Sequence, residues 1–185
     1  MTDDERLIKL LAERSTKRGQ FTLASGKQSE YYIDARLTTM SPEGLALIGQ
    51  LGLSRLVGSG WRVDSVGGLT LGADPISYAI SFASASSPRP LRAFTVRKEA
   101  KSHGTGKIIE GPFGKTDRVA VIEDVITTGG SALRAIEAVR AEGATVAGVL
   151  ALVDREEGGR QAIEAAGVPI ISMVSASQIV RALGA

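Results

Sequence analysis

The chain contains no cysteine and one histidine, His103. Without cysteine there are no disulfides, no thiol catalysis and no Cys-ligated metals, a composition that fits an intracellular chain. With one histidine, neither a His-based metal cluster nor a His-paired nucleophile has partners. The formal net charge is only +2, too small to argue for nucleic acid as a partner. No apolar run approaches membrane-spanning length. The N-terminus, MTDDERLIKLLAE, is acidic and lacks the basic-then-apolar pattern of a secretory signal. Its Leu7, Ile8, Leu10 and Leu11 stand at helical spacing, and Thr2 and Glu5 are placed for a capping box. The expectation is a cytoplasmic chain, and 185 residues at 43% hydrophobic suit one compact domain.

The most informative stretch is Val119 to Leu133, VAVIEDVITTGGSAL. Val119 to Ile122 form a continuous apolar run, as in a parallel strand covered on both faces. Glu123 and Asp124 follow at the carboxyl end, the edge where ligands collect in open α/β sheets. Val125 and Ile126 lead into a loop of Thr127, Thr128, Gly129, Gly130 and Ser131. Glycines let backbone N–H groups approach an anion, hydroxyls add donors, and the helix opening near Ser131 adds partial positive charge. The ligand implied is a phosphate on a polyhydroxyl. An ordinary strand-to-helix turn with Ser/Thr caps is the plainer alternative. No Gly-Lys-Ser/Thr follows the glycines, which argues against a Walker-type loop, and a dinucleotide fingerprint fails on glycine spacing.

Arg97, Lys98, Lys101 and His103 concentrate positive charge in RKEAKSHGTG, after an apolar strand from Leu91 to Val96. A solvated basic loop is the usual fate of such a run. Gly104 and Gly106 suggest instead a mobile lid, whose cations suit a reaction that releases pyrophosphate. Phe21 to Asp34 reads as a hairpin ending in Tyr31 and Tyr32, residues that either cover a ligand or line the hairpin wall. Val149 to Arg160, VLALVDREEGGR, is a second buried strand. It places Arg155 at its end, either paired with Asp154 or Glu156 or free to stack on a planar ring and pair with a carboxylate.

The Val119–Leu133 stretch resembles the phosphoribosyl diphosphate (PRPP) motif of the type I phosphoribosyltransferases. The RKExKxHG, F-x-L-x-S-G/S-x-Y-Y and DRxExG segments resemble those of the orotate phosphoribosyltransferases. The resemblance implies an enzyme that joins orotate and PRPP into orotidine 5′-phosphate and pyrophosphate in pyrimidine biosynthesis, with Mg²⁺ carried by PRPP rather than held by protein side chains. It assigns PRPP contacts to Arg97, Lys98, Lys101, His103 and the run Glu123 through Ser131. Within that run, Glu123 and Asp124 take the ribose hydroxyls and Thr127 through Ser131 the 5-phosphate. Thr127 and Arg155 fall to orotate, and Lys101 is the main catalytic lid residue. It further implies a homodimer whose basic loop acts in the neighbouring subunit's site. Two departures stand out: Ala24 and Leu71 occupy positions where many relatives carry a diphosphate-facing cation. A phosphoribosyltransferase for another base, or a non-catalytic PRPP sensor, remain the competing readings.

Between these segments helix and strand alternate. Helices are expected from Ser41/Pro42 to about Val57, Asp74 to Ala83, Ser131 to Ala141 and Gly159 to Ala166, the third ended by Gly143. Strands are expected at Asp64–Gly68, Leu91, Val119, Thr145 and Pro169. The pattern predicts an α/β fold of type I phosphoribosyltransferase kind: a central parallel sheet flanked by helices. A small hood would come mainly from residues 1–40, and a catalytic loop would cover about 97–112.

Overall fold

The computed structural model describes residues 1–22, 26, 28–99 and 107–184. Helix α1 (Asp3–Leu10) opens on a complete capping box, with Thr2 Oγ1 accepting from the Glu5 N–H and Glu5 accepting from the Thr2 N–H. It continues as a π-helical turn, Leu11–Ser15. Strands β1 (Thr16–Thr22) and β2 (Gln28–Ile33) then pair antiparallel as the expected hairpin, a two-stranded sheet of their own. A short α2 (Arg36–Thr39) precedes α3 (Pro42–Gly58), which Ser41 caps through the Gly44 N–H with Pro42 in the first turn.

The remaining strands are β3 (Ser65–Leu69), β4 (Arg92–Val96), β5 (Ile109–Glu110), β6 (Arg118–Ile126), β7 (Thr145–Asp154) and β8 (Ile170–Ser175). They form one sheet in the order β5-β4-β3-β6-β7-β8, parallel except for β5. Helices α4 (Ala73–Ala83), α5 (Gly130–Ala141), α6 (Gly159–Ala165) and α7 (Ala176–Gly184) complete the chain. Alternation along β6 assigns the two faces. Ala120 and Ile122 join Ile48, Ile76 and Ile80 of α3 and α4, and Val119 and Val121 join Ile136 and Val139 of α5. All of these side chains are at most 1% exposed, each worth roughly 1.5–3 kcal/mol if aliphatic and large.

Leu7, Leu10 and Leu11 of the N-terminal helical stretch are buried in the main core, which the hairpin, a separate two-stranded sheet, joins through Ile33 and Tyr31. Two expectations shift. The acidic pair does not follow its strand but lies within it, because pairing of β6 with β7 continues through Ile126. The segment 97–112 is not loop throughout: Ile109 and Glu110 pair with Val96 and Thr95.

Candidate active site

At the carboxyl edge of the sheet, β6 delivers Glu123 and Asp124 and hands the chain to α5 through the glycine loop. Gly129 caps α5 in the left-handed conformation at φ 85°, and no side chain caps the helix, so its first N–H groups are available to a ligand. Close approach explains the glycines here. A Cβ at Gly129 would sit 2.9 Å from the Gly159 carbonyl oxygen, and one at Gly159 would sit 2.5 Å from that of Thr127. The loops after β6 and β7 therefore pack backbone to backbone. Thr127, Thr128, Gly129, Gly130 and Ser131 line a cavity of about 350 Å³ together with Glu123 and Arg134.

A second cavity of about 270 Å³ adjoins it, lined by Tyr32, Asp34, Arg36, the turn Thr70–Gly72, Lys98 and Asp124, and again by Glu123, Val125 and Ser131. The turn after β3 is anchored by Asp74, which accepts from Thr70 Oγ1 at 2.6 Å and from Thr95 Oγ1 at 2.9 Å. Gly72 lets it close on β6, since a Cβ there would lie 2.5 Å from the Asp124 carboxyl. Arg36 lies in the same cleft, held by Asp34 through Nε at 2.8 Å and a second guanidinium nitrogen at 3.0 Å. That hydrogen bond lowers the Asp34 pKa against the opposing effect of burial.

Glu123 is 8% exposed, and its Oε2 has no hydrogen-bond partner. Burial first, then the charge of Asp124 and its hydrogen-bonding contact, push the Glu123 pKa up to about 9. At neutral pH the burial of Glu123 and the acidic group beside it therefore favour its protonated form.

Arg155, the residue directly after β7, is nearly buried, 4% exposed. Its Nε donates to Glu157 Oε1 at 2.7 Å and another guanidinium nitrogen to Ser29 Oγ at 3.2 Å, while the guanidinium sits 4.9 Å from the centre of the Tyr31 ring. Neither Asp154 nor Glu156 is its partner: Asp154 binds Arg160, and the Glu156 carboxylate accepts from Ser177. Glu156 takes a left-handed φ of 61°, unusual for its type, with its own N–H bonded to Asp154.

The sequence-selected residues do not all converge. Glu123, Val125 through Ser131 and, in the second cavity, Asp124 and Lys98 line one connected region. Ile126, although it touches the first cavity, is 1% exposed and packs its side chain in the core. Arg97 lines neither cavity and pairs with Glu110 at 3.6 Å. Lys101 and His103 lie outside the described residues, as does Ala24. Sequence reasoning passed over Asp34, Arg36 and Arg134. Arg134 had a signal: a cation near the start of a helix opposes the helix dipole, and here it donates to the Lys98 carbonyl at 3.1 Å. Among the described residues no group of three or more His, Asp or Glu is placed to hold a metal ion.

No family model matches the chain. Among curated proteins, orotate phosphoribosyltransferase of Aquifex aeolicus is 48% identical over 182 residues, covering 97% of this chain and 98% of the relative. The chain belongs to the orotate phosphoribosyltransferase family. Solved structures of family members agree. The Mycobacterium tuberculosis enzyme in complex with Fe(III) dicitrate is 42% identical with a TM-score of 0.82, covering 96% of this chain and 99% of that one. The same enzyme in complex with PRPP is 40% identical with a TM-score of 0.79, covering 97% and 99%.

Proposed function

We propose that this chain transfers the 5-phosphoribosyl group of PRPP to orotate, giving orotidine 5′-phosphate and pyrophosphate, in cytoplasmic pyrimidine synthesis. The observation that carries this reading is the junction of two chemistries at one sheet edge. An uncapped helix N-terminus behind Thr127–Ser131 suits a phosphate, and a buried Arg155 stacked on Tyr31 suits a planar anion. Between them, Asp124 and Glu123 are placed to accept from the ribose hydroxyls. The turn Thr70–Gly72, with Arg36 and Lys98, would receive the diphosphate.

Departure of pyrophosphate from ribose C1 leaves the electron pair on the diphosphate oxygen and oxocarbenium character on the sugar. The pyrimidine nitrogen then forms the new bond, and no protein nucleophile is required. Positioning and electrostatics therefore supply the catalysis. Asp124, beside the donor cleft, offers a carboxylate oxygen that suits a hard cation carried by PRPP. Mg²⁺, when bound with PRPP, would neutralise charge on the diphosphate. Loss of orotate absorbance on mixing with PRPP and Mg²⁺ is the expected result. Consumption of another base instead would replace the acceptor, and binding of PRPP without turnover would make the chain a sensor. Lys101→Ala is expected to lower turnover on the order of 10²-fold; an unchanged turnover would remove the lid assignment.

A homodimer with the basic loop acting in trans is part of the same reading. Its support is an apolar face on α4, where Phe82 is 85% exposed and Tyr78 52%. Phe82→Asp is expected to yield monomers by light scattering, with turnover falling in parallel. A variant that remained dimeric would place the contact elsewhere.

A further inference from the structure

Away from the active site, at the amino edge of the sheet, a groove of about 350 Å³ opens between the last turns of α3, the segment 61–63 that enters β3 and the segment 87–91 that enters β4. Its wall is apolar: Leu53 and Val57 of α3 face Trp61, the one tryptophan of the chain. Trp61 is fixed in place. Its ring lies over Gly148 of β7, where no side chain would fit, and its backbone N–H donates to Ser59 Oγ at 3.1 Å.

The polar groups on this wall are cationic or unsatisfied. Arg62 and Arg89 both line the groove, and among the described residues neither guanidinium has a hydrogen bond or an ion pair. No carboxylate lines it. Ser87, on the same wall, has a buried hydroxyl without a hydrogen-bond partner. The volume is that of a small-molecule site. A second copy of the chain is a poor occupant, because a two-fold contact would bring four unpaired guanidinium groups together. The exposed face of α4 carries no such penalty. Two arginines are also too few to track a nucleic-acid backbone.

We propose that this groove is a second ligand site, separate from the transferase centre, for a small anion with an aromatic body: the ring against Trp61, the acid group between Arg62 and Arg89. The fluorescent sulfonate 8-anilinonaphthalene-1-sulfonate has this chemistry, and its uncharged analogue N-phenyl-1-naphthylamine has only the apolar part. With Trp61 as the sole tryptophan donor, emission sensitised at its excitation wavelength should saturate at one sulfonate per chain and persist with PRPP and Mg²⁺ in excess. Loss of both cations in R62A/R89A should weaken the sulfonate by about tenfold or more and leave the uncharged analogue within about twofold, while the orotate reaction is unchanged. A sulfonate affinity equal in the parent and R62A/R89A, displacement of the probe by PRPP, or absence of sensitised emission would each overturn the proposal.

Discussion

Two buried carboxyls, Asp117 just before β6 and Glu123 near its end, occupy opposite edges of the same sheet and have opposite electrostatics. They are similarly buried, at 5% and 8% exposure. Asp117 is saturated: Arg92 donates to it at 2.7 Å, Ser65 at 2.9 Å and the Gly114 N–H at 3.1 Å. Burial acts to raise its pKa, but these donors together outweigh burial and lower it. Glu123 has no such donors, so burial and its acidic neighbour raise its pKa. Burial alone therefore does not fix the sign of a shift; the number of donors does. Around Asp117 the polar groups are spent on each other, whereas Glu123 is left without donors among the described residues.

The contrast is broken most strongly at the site. Asp124→Asn should lower kcat/KM for PRPP by about 10²- to 10³-fold, since the amide keeps the shape and loses the charge. Thermal unfolding should move little, and a large drop in melting temperature would mean that Asp124 is structural. Asp117→Ala is the reverse experiment. It strands Arg92, Ser65 Oγ and the Gly114 N–H, and should cost about 2–3 kcal/mol in denaturant unfolding with kcat of the folded fraction unchanged. A stable variant would show that water replaces the carboxylate.

The subtlest test uses pH. Between the ordinary glutamate pKa of 4.5 and the folded value of about 9, the folded chain keeps a Glu123 proton that the unfolded chain has lost. Unfolding thus releases a proton. This contribution to stability is complete below pH 4.5 and is lost as pH rises toward 9, by at most about 1.4 kcal/mol per pH unit. Asp117 runs the other way: its contribution is present above the ordinary aspartate value of 3.8 and is lost as pH falls through its lowered folded value. Unfolding free energies measured from pH 6 to 8.5 should decline in the parent and be flatter in Glu123→Gln. Parallel curves would mean that Glu123 is ionised in the folded chain.

Much of this architecture was legible in the residues. Thr2 with Glu5, Ser41 with Pro42, and Gly143 mark helix ends through local chemistry, and all three act as read. The strand-loop-helix run at Val119–Leu133 was legible for the same reason, because an apolar run and a glycine turn need only their neighbours. Strand β5 was not, since two residues carry no period and their pairing with β4 spans the basic segment. The plainer alternative for Arg155, a pairing with Asp154 or Glu156, rested on nearness in sequence; in the structure Asp154 binds Arg160, Glu156 accepts from Ser177, and Arg155 meets Glu157 and the distant Ser29. The raised pKa of Glu123 was hidden too. It depends on what surrounds the carboxyl in three dimensions, and the letters E and D suggest two charges.

The anchor of the turn after β3 extends further than the turn itself. Asp74 binds Thr70 and Thr95, and Thr95 is in turn 2.8 Å from the hydroxyl of Tyr78 on the exposed face of α4. Four side chains thus form a polar relay with one end in the donor cleft and the other on the outer surface. Whatever settles on Tyr78 also holds one end of that relay. Under the dimer proposed above, the concentration of the chain, and not only of its substrates, would become a variable of the site.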